Sequence, residues 1–239
     1  MTTIRENDDE ALLRSGQIEL VGLIRGSSNS AMLVEITGAD ERMLHGVYKP
    51  EEGERPLRDF PPRIYRRERA AYALSEALGW DLIPATVLRE QGPFGPGSLQ
   101  LFVEHDPADH YFSLYGTAPE TDEALRRMAV FDVVANNTDR KAGHVLRGLD
   151  GHLWGIDQGL CFSAPEKLRT VIWEFAGEPV PEPLLTDLEP LAEELPAELE
   201  ELLLPVEQLA LQVRVQMLLA DPFLPVDETG GYRIPWPPM

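Results

Sequence analysis

Residues 130–146, VFDVVANNTDRKAGHVL, leave an apolar helical stretch through a turn that carries an acid, two cations and an imidazole. A plain connector needs only Gly, Asn or Pro to reverse the chain. The run EALRRMAVFDVVANN, residues 123–137, carries the periodicity of a largely buried helix. A buried helix fixes the position of whatever leaves it, so this turn presents Asp139, Arg140, Lys141 and His144 at a defined place. Arg140 and Lys141 then face an anion or pair with nearby carboxylates. Asp132 sits inside the apolar run and must be paired or hydrogen-bonded when buried; the loop backbone is the expected partner.

Around this helix the chain divides into a β-rich front and a helical back. Residues 1–16 read as a short, frayed helix. QIELVGLIRG, AMLVEITG and MLHGVYKP read as strands, the first two joined by GSSNS. YRRERAAYALSEALG is a helix whose Ala70, Ala73, Leu74, Ala77 and Leu78 recur at helical spacing, with Gly79 as its stop. IPATVLRE and GSLQLFVE are strands around the loop QGPFGPG. The front is therefore an antiparallel sheet of about five strands with one inserted helix. After 144, two short strands flank an Asp-Gly turn. Residues 184–220 are helical and acidic, with expected breaks at Pro190, Pro196 and Pro205, and VEQLALQVRVQMLLA reads as a core-packing helix. The tail YRIPWPPM is irregular. The expected fold is α+β with two lobes, residues 1–103 and 104–239.

Composition narrows the partners. At 239 residues with 43% hydrophobic content, the chain can bury a substantial core. No apolar run approaches bilayer-spanning length and no signal-peptide pattern opens the chain, so stable membrane insertion is not expected. A single cysteine, Cys161, cannot pair internally, and the expected compartment is the reducing cytoplasm. On that expectation the Asn136 sequon is accidental. A net charge of −20 opposes nucleic-acid phosphates and anionic membrane surfaces. One local exception, RPLRDFPPRIYRRERAA, gathers six arginines between 55 and 69. It reads either as a solvated loop and helix start or as an anion or partner patch.

Three separated residues carry the chemistry. Lys49 ends a strand, on the face of Val47 and opposite Tyr48. Asp139 follows the buried helix. Asp157 ends the apolar strand LWGI before Gln-Gly, with Gly159 easing the turn. Each alone is an ordinary strand end or cap. In this order they match what phosphoryl transfer needs: a cation on nucleotide phosphates, a carboxylate near an acceptor hydroxyl and a carboxylate for Mg2+.

VYKP, GSLQLFVE, FDVVANNTDR and GIDQGLCF, in that order across roughly residues 20–165, resemble the phosphatidylinositol 3-/4-kinase-like superfamily. The resemblance is greatest to the type II phosphatidylinositol 4-kinases and a related group of bacterial proteins; HipA-type protein kinases share the plan. It implies a two-lobed, protein-kinase-like fold binding ATP with Mg2+ or Mn2+. Lys49 would contact the α- or β-phosphate, Asp139 would orient or deprotonate the acceptor hydroxyl, and Asp157 would bind metal. The backbone of Leu101, Phe102 and Val103 would meet the adenine. The turn containing Ser27, Ser28, Asn29 and Ser30 would cover the phosphates, although a plain hairpin turn explains it equally. Glu68 is the candidate partner of Lys49, or else an exposed helical acid; Glu76 lies on a similarly marginal side.

His144 stands where the family carries a metal-ligating Asn. Mg2+ prefers hard oxygen donors, whereas imidazole suits softer ions. Three outcomes follow: ligation through nitrogen with a shift toward Mn2+, a slower one-metal site, or nucleotide binding without transfer. The acceptor is a hydroxyl-bearing protein, small molecule or lipid headgroup, and the charge disfavours the lipid. The competing readings are a nucleotide-binding pseudokinase and an AMP-transferring enzyme.

Overall fold

The structure, a computed structural model, describes residues 3–24, 30–230 and 233–239. Ser27, Ser28 and Asn29 lie outside the described residues. Five antiparallel strands, β1 (Gln17–Leu23), β2 (Met32–Thr37), β3 (Met43–Pro50), β4 (Thr86–Gly92) and β5 (Gly95–Leu101), form one sheet in the order β1-β2-β3-β5-β4. The expected strands are all present. The loop expected at 91–97 is instead a tight hairpin, because β4 and β5 pair down to Gly92 and Gly95. Gly97 is required there: a Cβ would stand 2.4 Å from the Lys49 carbonyl oxygen. Tyr48 is fully buried and its hydroxyl donates to the Gly95 carbonyl at 2.5 Å. The pleat then turns Val47 and Lys49 to the opposite face, as alternation requires.

Helix α1 (Thr3–Ser15) contributes Leu12 and Leu13 to the sheet's core. Helix α2 (Tyr65–Leu78) buries Ala70, Ala71, Ala73, Leu74 and Leu78, and its three small alanines let it lie close to β4 and β5. Gly79 ends α2 in the left-handed region at φ 65°, donating to Glu76 while Trp80 donates to Ser75.

The remaining chain is mainly helical: α3 (Tyr111–Leu114), α4 (Pro119–Ala135), the hairpin β6 (Val145–Arg147) and β7 (Leu153–Gly155), then α5 (Glu182–Glu193), α6 (Ala197–Leu202) and α7 (Pro205–Ala220). Pro119 opens α4, four residues ahead of the start read from periodicity. Pro190 does not break its helix: α5 runs on to Glu193. Pro190 and Thr186, whose carbonyl loses its helical donor, both face solvent, where water can take the carbonyl. Pro196 and Pro205 do separate helices.

The arginine-rich segment divides: Arg55, Arg58 and Arg63 are exposed, as a solvated loop requires, and Arg66 is partly exposed. Arg67 and Arg69 are buried. Arg67 pairs with Glu207 of α7 and donates to the Cys161 carbonyl at 2.6 Å. Arg69 reaches Glu198 of α6 at 2.6 Å and the Thr86 carbonyl at 2.6 Å. These residues tie the sheet's helix to the C-terminal helices. Among the described residues no helix is long and apolar enough to cross a membrane.

Candidate active site

Lys49 projects from the end of β3 between two acids. Its ammonium lies 2.5 Å from Glu68 Oε1 and 2.7 Å from Asp157 Oδ1. The second Glu68 oxygen accepts the Gln158 amide at 2.8 Å, so α2, β3 and the turn after β7 meet at one carboxylate. Glu68, read as marginal on the helix wheel, is buried and faces the lysine, whereas Glu76 is exposed. Burial works against the Lys49 cation, but Asp157 and Glu68 outweigh it and hold its pKa above the usual lysine range. Burial also works against the Asp157 carboxylate, yet Lys49 and the His144 side keep it well below the usual carboxylate range. Asp157 adopts φ 60°, a left-handed conformation uncommon for a non-glycine residue.

The opening turn is built on a buried network. Asn136 caps α4 in the left-handed region at φ 48°. Its amide donates to the Ser163 and Pro165 carbonyls at 2.8 Å each, and its oxygen accepts the Lys167 amide. Asp132 and Arg140 are both fully buried and paired at 2.8 Å. Asn137 Nδ2 and the Thr170 hydroxyl also donate to Asp132. Its principal partners are therefore loop side chains rather than the expected backbone. Arg140 does not face the cleft as a phosphate ligand; it donates to the His144 and Ile156 carbonyls and to Gln158 Oε1. This locks the Asp139 loop to the Asp157 turn.

Asp139 lies above that network, its amide held by Asn137 Oδ1 and its carboxylate 3.3 Å from Lys141 Nζ. Burial pushes its pKa up and Lys141 only partly offsets the shift, with Asp157 adding to the rise. His144 Nε2 is 3.4 Å from Asp157 Oδ2. Burial drops its imidazole pKa to about 4, so the ring is neutral near neutral pH. The Lys141 amide points at Nδ1 from 3.4 Å, which puts the ring proton on Nε2, toward Asp157.

The structure thus brings Lys49, Glu68, Asp157 and His144 into direct contact, with Asp139 on the loop that carries His144. Ser30 lines the same small cavity as Lys49 and Glu68. Leu101, Phe102 and Val103 form the strand exit: the Leu101 and Phe102 amides donate to Ala85 and His45, and the Val103 carbonyl accepts from His105 Nδ1. Sequence reasoning missed Gln158, which is fully buried between Arg140, Asn137, Cys161 and Glu68. Its only signal was a polar residue wedged between Asp157 and Gly159.

No cluster of three or more His, Cys, Asp or Glu suited to a metal occurs among the described residues. Of the pair Asp157 Oδ2 and His144 Nε2, the carboxylate oxygen is a hard donor suited to a divalent cation, whereas Nε2 carries the ring proton and is not a ligand in this arrangement.

An antiparallel sheet carrying a paired lysine, followed by a helical part carrying two acid turns, is a kinase-like fold. The Golgi casein kinase with Mn/ADP bound superposes with a TM-score of 0.54 at 13% identity, over 92% of this chain and 76% of that one. Hydra Fam20 with sugar gives 0.56 at 13% identity, over 92% and 88%. The Helicobacter pylori proinflammatory kinase CtkA gives 0.51 at 12% identity, over 89% and 94%. No family model matches the chain. Protein Rv2133c of Mycobacterium tuberculosis (strain ATCC 25618 / H37Rv) is 40% identical over an alignment 272 positions long, covering 98% of this chain and 96% of that protein. The chain belongs to the family of Protein Rv2133c.

Proposed function

We propose that this chain is an ATP-dependent phosphotransferase that moves the γ-phosphate to a hydroxyl acceptor, working between a sheet lobe ending near 103 and a helical lobe. The observation that carries this reading is Lys49 held between Glu68 and Asp157, three residues from three distant segments joined at 2.5 and 2.7 Å. Kinase-fold neighbours, one of them solved with Mn/ADP, support it. The narrower resemblance to phosphatidylinositol kinases rests on the sequence motifs alone.

In this reading Lys49 meets the α- or β-phosphate, oriented by Glu68. The backbone at Leu101, Phe102 and Val103 receives the adenine. Asp157 and His144 would hold the divalent ion, which supplies neutralisation of phosphate charge when bound. Ligation by His144 Nε2 requires its proton to move to Nδ1, and imidazole then favours Mn2+ over Mg2+. Asp139 orients the acceptor hydroxyl and accepts its proton; burial raises its basicity for that step. Lys141, 3.3 Å from Asp139, adds a cation where the transferred phosphoryl arrives.

The test is product formation from ATP labelled at the γ or the α position, with Mg2+ and with Mn2+. Transfer of γ label that falls on the order of a hundredfold or more in Lys49→Met supports the proposal. Transfer of α label assigns AMP transfer instead. An ATP-dependent rise in melting temperature without any product assigns a binding-only protein. His144→Asn is expected to shift the metal preference toward Mg2+.

A further inference from the structure

The loop that carries Asp139 is laid against the chain that follows the Asp157 turn. Arg140 and Thr170 form a parallel bridge: the Arg140 amide donates to the Arg169 carbonyl at 3.1 Å, and the Val171 amide to the Arg140 carbonyl at 3.0 Å. The Arg169 amide donates in turn to the Asn137 carbonyl at 2.8 Å. The side chains of Arg140 and Thr170 both turn inward and bond to Asp132. Side chains alternate along extended chain, so the residues preceding them, Asp139 and Arg169, stand side by side on the outer face. Arg169 is exposed, and among the described residues its guanidinium makes no hydrogen bond or ion pair. Asp139 is paired instead with Lys141, the next residue on its own outer face.

The alternation continues away from the site: Leu168 and Thr170 are buried, Lys167 and Arg169 are not. Lys167 pairs with Asp59, and Lys167 chiefly, with Arg169 and Arg58, holds that carboxylate below its usual pKa. Of the other acids nearby, Glu166 is matched by Arg233 and Asp157 by Lys49. Beside the site this leaves Arg58, Lys141, Lys167 and Arg169 against Asp59 and Asp139, a local excess of cations in a chain of net charge −20. Such an excess next to the acid assigned to the acceptor hydroxyl favours an acceptor that is itself anionic.

We propose that Arg169 selects the acceptor, receiving a carboxylate of an acidic peptide whose serine or threonine hydroxyl meets Asp139. The inference rests on the phosphotransfer reading and narrows its acceptor class. Arg169 and Lys167, at i and i+2 on one face, are about 7 Å apart. Cations spread along a surface suit the several carboxylates of an extended peptide, whereas a single phosphate group calls for donors that converge on one point. An anionic membrane surface is opposed by the charge of the chain as a whole.

The test uses the full chain and three fluorescent peptides, each with one central serine, flanked by Asp and Glu, by Gly and Ala, or by Lys. In anisotropy titrations the acidic peptide is expected to bind saturably and more tightly than the Lys peptide, the reverse of what a net charge of −20 attracts. Arg169→Gln keeps the backbone bonds and is expected to melt as wild type does. It is expected to weaken binding of the acidic peptide by about tenfold or more, and to raise its KM by a similar factor where γ label is transferred. Arg169→Lys is expected to recover part of the loss, and the Gly/Ala peptide to respond much less. Equal binding of the acidic peptide by wild type and Arg169→Gln overturns the proposal, as does tighter binding of the Lys peptide. Equal losses with acidic and neutral peptides overturn it too, because Arg169 then acts through Asp139 rather than on the acceptor. Arg169-dependent labelling of glycerol 3-phosphate but not of the acidic peptide overturns it by assigning a small phosphorylated acceptor. Arg169-dependent peptide binding without transfer of label from ATP supports the peptide site and overturns the phosphotransfer reading; label transfer indifferent to peptide charge does the reverse.

Discussion

At the Lys49 side chain one cation serves two carboxylates, and the acid that the proposed reading assigns to the acceptor hydroxyl is Asp139. Its pKa is raised mainly by burial, so the folded state binds more protons than the unfolded one across that window, and stability falls as pH rises through it. Asp139→Asn removes this loss. The variant is expected to melt at or above wild type at neutral pH, with the difference vanishing below a pH of about 4. Product formation is expected to fall on the order of a hundredfold or more. Scanning calorimetry against pH, beside a turnover assay, checks both. For wild type the acid limb of kcat/KM is expected above the ordinary carboxylate range. A residue that costs stability and carries turnover is the behaviour of a catalytic group; a turn cap would lose stability when replaced.

Element by element, the link between α4 and the loop it presents is Asn136. It combines a left-handed backbone with three hydrogen bonds to the segment at 163–167, and is 1% exposed. Asn136→Ala loses all three and strains the backbone, at an expected cost of about 3 kcal/mol. Asn136→Gly keeps the left-handed turn and is expected to recover about 1 kcal/mol of that. Urea unfolding of the two variants measures the difference. The sequence displayed the helix through its apolar spacing and the turn through its polar break. The hydrogen bonds to Ser163 and Pro165 join residues far apart in the chain, and no local pattern encodes them.

Across the whole molecule, α2 is held to the C-terminal helices by buried charge. Arg67 and Glu207 side chains are 5% and 7% exposed, and Glu207 also caps α7 by accepting the Leu204 amide at 2.9 Å. Arg67→Met leaves an uncompensated buried carboxylate and is expected to cost about 3–5 kcal/mol. Adding Glu207→Gln removes that charge while keeping the cap, and is expected to restore most of the loss. Equilibrium denaturation of the single and double variants tests this coupling. With α2 bridging sheet and helices, both parts are expected to unfold in one transition, so tryptophan fluorescence and far-UV circular dichroism should give coincident midpoints.

The sequence by itself determined the strands and the principal helices, because alternation and helical spacing are local signals; it also singled out Lys49, Asp139 and Asp157 as candidates, of which the structure brings Lys49 and Asp157 into contact. It left the arginine-rich segment and Glu68 undecided and did not register Gln158. Only tertiary structure decided those: an arginine or glutamate on a helix has the same local pattern whether it meets water or a buried partner, and which one it meets depends on segments about a hundred residues away being folded against it.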